Sequence, residues 1–498
     1  MTQLLALGGD AASAPRDTFV AYWAALAAGA DGLIASLRCT ADGRWVCCSP
    51  RVPALSGSLD ELATIDAGAY FQAGTPNRES SSEHPTGKSV WAQGPDRPAL
   101  RFPELGQLLR TFGRRTKLYL QPETRAPRAF AGLAVLLESL ESFGLLHRTL
   151  LIVDPKTGAE LASRHKLRWV ARFVQAPSDD ELRAARECHA AAVALPASAA
   201  RDLRVSESAE RCGLPVWLWP EDDRSDRPTD PLAARLDDSR IATVVTSAVL
   251  RTREVLRPSG VVFADSLRAE KLDGEHWAAG FSHPNLETRM SASTSGFCIS
   301  IQQGSSYSGG GLVLKLPIPG DFDAQVAFAV SKPQQATTFE LAAMAIEPAG
   351  LLLDPAELDP KHANLAFDVH GAPPYASSER DEDDGFRFGW NNSSNLTRIS
   401  DDWRHDSANM YNRYSRDVGD GRARGAWTTG RLRLVRGGQV FASYFVDDDA
   451  DDWVCSGVGL VSTMPADAFI RLAAKHWHKS GEPPANEVRF SDFVVRQS

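Results

Sequence analysis

The sequence predicts a two-domain protein, a (β/α)8 TIM barrel followed by an all-β sandwich of jelly-roll type. Three observations predict it. The chain has 498 residues, more than the about 250–300 that one hydrophobic core organises. Its first half alternates short apolar runs with amphipathic segments, the pattern of βα units around a parallel sheet. After Arg257 that alternation gives way to short runs of alternating polarity broken by Gly, Asp, Asn and Pro, the pattern of antiparallel strands.

The elements follow in order. LLALGG reads as the first strand, DTFVAYWAALAAG as a helix ending at Gly29, and DGLIASLRCT as the second strand. RWVCCSP comes next, then the helix PELGQLLRTFG, the strand KLYLQPE and a helix around AFAGLAVLLESLESFG. LLIVDP, RWVARFV, AAVALP, PVWLWP and IATVVTS are further strands, most with helical stretches between them. Repeated units of this kind close into a barrel. Past the RPSG boundary, the runs VVFADSL, FCISIQQG, GLVLKLPIPG, FDAQVAFAVS, ANLAFDVHG, RLRLVRGGQVFASYFVDD and EVRFSDFVV read as sandwich strands. The domains are therefore 1–257 and 261–498.

Composition narrows the function classes. Hydrophobic residues at 43% and charged residues at 23% fit a folded globular chain, and no run of about 20 apolar residues is present to span a bilayer. A formal net charge of −9 argues against a nucleic-acid partner, which requires a basic face. MTQLLALGGD lacks the basic start of a secretion signal. The seven cysteines, with Cys47 and Cys48 adjacent, are odd in number and scattered, so a reducing, cytoplasmic location is expected.

The motifs ALGGD, PRDT, AGADGLIASLRCTADGRWVCCSP and SLDELATIDAGAYF carry a resemblance. In this order and spacing the first half resembles the glycerophosphodiester phosphodiesterase family. The resemblance implies a His-Arg-Gly closing the first strand, a Glu-x-Asp on the second strand that binds metal, and a later His-Asp. On that frame, the first His falls on Leu7 and the Arg on Gly8, with Gly9 retained; the helix opening carries Arg16 and Asp17. The metal-binding pair falls on Ala35 and Leu37, and the second His and its Asp on Cys48 and Ser49. A family Glu-x-Lys becomes Gln121 and Glu123.

The family's reaction needs a divalent cation held by carboxylates and two imidazoles acting as base and acid. Alanine and leucine cannot ligate a hard cation, and leucine cannot move a proton. No cofactor is therefore expected, and Mg or Ca is not supported by the family's ligand positions. Cys48 reads as a small buried hydrophobe, since no motif His accompanies it.

Barrel enzymes work at the C-terminal ends of their strands. The polar and aromatic residues there are Asp10, Arg16, Asp17, Gln121, Glu123, Asp154, Lys156, Arg172, Gln175, Trp217, Trp219 and Glu221. Of these, Asp10, Arg16, Asp17, Gln121, Glu123, Trp217 and Trp219 are the candidate ligand-binding set, with Trp to stack on a ring and Arg16 to pair with an anion.

The second half, through GDFDAQVAFAV, RLRLVRGGQVFASYF and NEVRFSDFVV, resembles concanavalin A-like lectin/glucanase sandwiches, which implies a glycan-binding or assembly role. Its candidate platform aromatics are Trp390, Trp403, His405, Tyr411, Trp427 and Trp453. His476 and His478 flank Trp477, too few ligands for zinc.

The sequence thus favours a catalytically degenerate, phosphodiesterase-like pseudoenzyme that binds a phosphorylated or glycosylated small molecule or acts in assembly, through a homo-oligomer or a protein partner. Two alternatives stand beside it. One is a repurposed, metal-independent enzyme acting on a sugar or phosphoester at the barrel mouth. The other is residual metal-dependent glycerophosphodiester hydrolysis through a relocated site of Asp10, Asp17 and Glu123.

Overall fold

The computed structural model describes residues 2–48, 57–62, 65, 67–70, 101–124, 127–200, 202–220, 240–282, 288–302, 309–331, 338–345, 375–381, 387–393, 409–410, 413–415, 428–447, 453–461, 464–476 and 485–497. Two compact units divide the chain, Met1–Pro258 and Ser259–Ser498.

The first unit is a closed barrel of eight parallel strands. They are β1 (Gln3–Leu7), β2 (Gly32–Cys39), β4 (Lys117–Pro122), β5 (Leu150–Val153), β6 (Trp169–Arg172), β7 (Ala190–Pro196), β8 (Val216–Trp219) and β9 (Ile241–Thr246), while β3 (Trp45–Cys47) adds antiparallel to β2. The spatial order is β1-β9-β8-β7-β6-β5-β4-β2, and β2 returns to β1 to close the ring. Closure removes both sheet edges, so every strand's backbone groups find partners.

The helices obey local signals. Thr18 caps Phe19–Ala27 by accepting from the Ala21 amide, Asp154 caps Pro155–His165 with Pro at its first position, and Ser178 with Glu181 forms a capping box on Asp179–Glu187.

The barrel interior is a column of side chains drawn from all eight strands: Leu5, Leu7, Ile34, Tyr119, Ile152, Val170, Ala192, Ala194, Trp217, Trp219 and Val245. Strand residues alternate in direction, so this set fixes which positions look inward. On β2 they are Ile34, Ser36 and Arg38, on β4 Tyr119 and Gln121, on β6 Val170 and Arg172. The Cβ position of Gly132, in the helix Pro127–Ser142, would lie 2.9 Å from the Cys39 sulfur, confirming that odd-numbered residues of β2 face the helices.

The second unit is all antiparallel. One sheet runs Thr288–Ser293, Gly296–Ile301, Asn486–Gln497, Phe322–Val330, Thr428–Gly437, Val440–Asp447, Val454–Leu460 and Asn409–Met410, with Gly260–Asp265 also on Asn486–Gln497. The other runs Trp277–Ser282, Gly309–Leu314, Asp467–Lys475, Thr338–Met344, Tyr375–Asp381, Arg387–Ser393 and Arg413–Ser415, with Ile318–Pro319 beside Asp467–Lys475. Phe328 of the first sheet meets Phe339 of the second with ring centroids 4.7 Å apart, so the sheets pack face to face as a sandwich. The expected strand ANLAFDVHG lies outside the described residues.

Among the described residues no helix is long and apolar enough to cross a membrane.

Candidate ligand-binding site

The C-terminal end of β1 turns on two glycines. Gly8 and Gly9 have φ of 69° and 87°, a region that costs other residues about 1–2 kcal/mol. A Cβ on Gly9 would stand 2.3 Å from the Ala21 carbonyl carbon, and one on Gly8 would stand 2.5 Å from Cγ of Arg16. The missing side chain of Gly8 is thus the bed on which the Arg16 stem lies, and Arg16 Nε reaches to 3.6 Å from Asp17 Oδ2.

Asp17 is fully buried, in the left-handed region at φ 56°. Its Oδ1 accepts from the Tyr22 hydroxyl at 2.8 Å and from the Ser36 amide at 3.3 Å. Burial raises its pKa, a shift opposed by the charge of Arg16 and by the Tyr22 and Ser36 hydrogen bonds. The same burial, reinforced by the Asp17 charge, raises the Tyr22 hydroxyl and the Cys47 and Cys48 thiols well above their ordinary values. These thiols are therefore not primed as nucleophiles.

Asp10 does not face the mouth. It is 1% exposed, and its carboxylate accepts from the Val249 amide at 2.9 Å and the Ser13 hydroxyl at 2.5 Å. It ties the first strand's loop to the start of the helix Val249–Leu256, joining the two ends of the barrel sequence.

Glu123 lies just past β4, where its Oε2 meets Arg38 Nε at 3.0 Å, and both groups are partly exposed. Gln121 precedes it on the inward face, half-buried. Asp154 is spent on capping, accepting from the Thr157 amide and hydroxyl and from Thr124. Trp217 stands edge-on to Tyr119 at 5.1 Å and 90°, deep in the column. Trp219 sits one layer higher at 2% exposure, and the Arg172 guanidinium carbon lies over its ring at 4.8 Å.

The structure corrects two expectations. The second-strand pair Ala35 and Leu37 faces the helices, because closing the barrel turns Ile34, a member of the interior column, and Ser36 inward. A relocated site of Asp10, Asp17 and Glu123 is not assembled, since Asp10 is committed to the helix Val249–Leu256, and among the described residues no group of three His, Cys, Asp or Glu is placed to hold a metal ion. Leu7, Ile34, Ser36 and Cys48 stand around the strand ends. Leu7, Ile34 and Cys48 are fully buried, and Ser36 is nearly so. Ser49 and Glu221 lie outside the described residues.

Sequence reasoning did not place Arg172 on Trp219 or Arg38 on Glu123. A charged residue two positions beyond an inward apolar one on the same strand, as in Val170 and Arg172, is the signal that finds the first. In the sandwich, Trp453 lies over the Arg433 guanidinium at 5.2 Å and His476 is buried. Trp390 falls on the strand Arg387–Ser393; Trp403, His405, Tyr411, Trp427, Trp477 and His478 lie outside the described residues.

The chain is similar over half its length to solved phosphodiesterase structures. The glycerophosphodiester phosphodiesterase of Agrobacterium tumefaciens is 18% identical, with 51% of this chain and 100% of that one covered and a TM-score of 0.38. The phosphodiesterase of Oleispira antarctica, solved with its product sn-glycerol-3-phosphate, is 15% identical over 51% and 97% at 0.40. The glycerophosphodiester phosphodiesterase of Thermotoga maritima is 13% identical over 51% and 98% at 0.35. No protein-family model matches the chain, and no curated protein does.

Proposed function

We propose that the barrel is a catalytically degenerate, phosphodiesterase-like protein that binds a phosphorylated or glycosylated small molecule at its mouth, with the sandwich serving glycan binding or assembly. One observation carries the reading. The inward positions at the strand ends bear Leu7, Ile34, Ser36 and Gln121, which offer neither a carboxylate for a hard cation nor an imidazole for proton transfer. Around them stand the guanidinium groups of Arg16, Arg38 and Arg172, which suit recognition of an oxyanion better than its hydrolysis. None of the seven cysteines forms a disulfide, which fits a reducing, cytoplasmic setting.

The test is release of glycerol 3-phosphate from glycerophosphodiesters by the full chain, with Mg or Ca and again with chelator. No turnover is expected, together with saturable binding of a phosphorylated polyol by calorimetry. Turnover that chelator and Glu123→Ala both abolish would overturn the proposal in favour of a rebuilt metal centre.

Asp17 supports a second reading, a metal-independent enzyme, because a carboxyl whose pKa is raised by burial holds its proton to higher pH than an exposed one. Turnover that survives chelator and disappears in Asp17→Asn would favour it.

A further inference from the structure

We infer that the rim of the barrel opposite the mouth, where the turns entering β4, β5 and β6 gather Arg114, Lys117, Arg148, Lys166 and Arg168, is a docking surface for an anionic phospholipid bilayer. This goes beyond the reading of the mouth as a ligand site and does not depend on it.

Parallel strands all start on one side of a barrel, so the turns entering β4, β5 and β6, neighbours in the ring, share that rim. They read GRRTK (113–117), FGLLHRT (143–149) and HKLR (165–168). These turns hold six Arg or Lys and no acid, in a chain where Asp and Glu outnumber Lys and Arg by 63 to 54. All six cations are exposed. Arg115 lies 5.9 Å from the Trp23 ring centroid, and the other five form no ion pair or side-chain hydrogen bond among the described residues. Counting back from the pairs Tyr119–Leu150 and Leu151–Trp169 brings Lys117, Arg148 and Lys166 to one level, on strands about 5 Å apart.

Helix ends account for only part of this charge. The helices Leu105–Phe112, Pro127–Ser142 and Pro155–His165 end at these turns. Each C-terminus carries about half a negative charge, so the three offset about a quarter of six cations. Lys166 also holds a left-handed C-cap at φ 53°, a place that Gly144 and Gly213 fill in the turns before β5 and β8. Acids elsewhere in the chain do not cancel the rim, because charges more than about 8 Å away are screened at physiological salt.

The layout selects the partner. Cations level on three adjacent turns, with Phe143 and Leu146 partly exposed among them, suit a flat anionic surface whose headgroups also admit apolar side chains. A nucleic-acid duplex would need a helix or ribbon to enter its groove, and here the helices stop at the rim. Docking on this side turns the mouth, at the other end of the same strands, toward water, where a small soluble ligand reaches it.

The experiment is co-sedimentation of the full chain with vesicles of phosphatidylcholine alone and of phosphatidylcholine mixed with phosphatidylserine. Binding is expected on the mixed vesicles only, fading as salt is added. Each cation near an anionic leaflet raises partition by about fivefold. Arg148→Gln with Lys166→Gln should therefore weaken binding about 25-fold, and Lys117→Gln added to them should bring the loss to about 100-fold. Arg101→Gln with Arg204→Gln, exposed arginines at helix starts on the mouth side, should leave it unchanged. All variants are compared at circular dichroism matching wild type. No binding to the mixed vesicles, equal binding to both kinds, or an equal loss in the Arg101 and Arg204 pair would overturn the assignment. A short DNA duplex bound as tightly as the mixed vesicles, and released by the same rim changes, would overturn the bilayer in favour of nucleic acid.

Discussion

The barrel mouth and the sandwich both pair arginines with carboxylates, and they do so at opposite depths. In the sandwich, Arg433 with Asp323 and Arg471 with Glu340 have side chains at most 5% exposed. At the mouth the pair Arg38–Glu123 is 19% and 34% exposed, whereas Arg16, 11% exposed, meets a fully buried Asp17. A charge fully removed from water is held by its partner, and losing that partner leaves an uncompensated ion. A charge at a wet rim exchanges partners at small cost. The sandwich pairs therefore read as structure, with Gln325 and Trp453 helping to enclose the first of them, while Arg38 and Glu123 are placed where a ligand can compete.

The sharpest way to break this contrast is in the sandwich. Arg433→Ala should destabilise the chain by about 3–5 kcal/mol by stranding Asp323, and Arg433→Met combined with Asp323→Leu should recover most of the loss. Urea unfolding followed by circular dichroism reads both, and a single change costing no more than a surface substitution would erase the distinction.

Next in size is Asp10→Ala. It removes the acceptor for the Val249 amide and the Ser13 hydroxyl and should cost about 1–2 kcal/mol, as for a lost helix cap, with ligand affinity unchanged. Lost affinity in a stable variant would return Asp10 to the binding site.

Asp17→Asn should change a slope. The folded pKa of Asp17 lies above the unfolded value, so the stability linked to its proton is fully present below the unfolded pKa and is lost as pH rises through the folded one. The variant lacks this loss. Its stability relative to wild type should therefore climb as pH rises from the acid range toward neutrality, measured by denaturant midpoints across that range. A pH-independent difference would show that Asp17 folds with an ordinary pKa.

The smallest effect belongs to Glu123→Gln. A half-exposed pair with Arg38 should contribute less than about 1 kcal/mol, and what it contributes should fade with added salt. A large, salt-insensitive loss would move this pair into the sandwich's category.

Much of the barrel was legible in its sequence because each strand and helix carries its own local signal. The caps at Thr18, Asp154 and Ser178, the paired glycines at positions 8 and 9, and the apolar runs of β5 to β9 all act over a few residues. The side chains at the strand ends, Leu7 and Gln121 among them, were read equally locally. The second unit was legible as antiparallel strands for the same reason, through alternation of polarity along each run.

What the sequence by itself determined was the element order, the change of architecture near Arg257, and the identity of the side chains at the strand ends. Tertiary structure alone decided direction and partnership. GLIASL is buried on both faces, so its polarity gives no parity, and only barrel closure turns Ile34 and Ser36 inward and Ala35 and Leu37 out. Asp10 finds its partner 239 residues away at Val249, and Arg172 finds Trp219 across two strands. Such contacts arise where the ring brings distant strand ends together, a juxtaposition set by closure of the sheet and carried by no local run of residues.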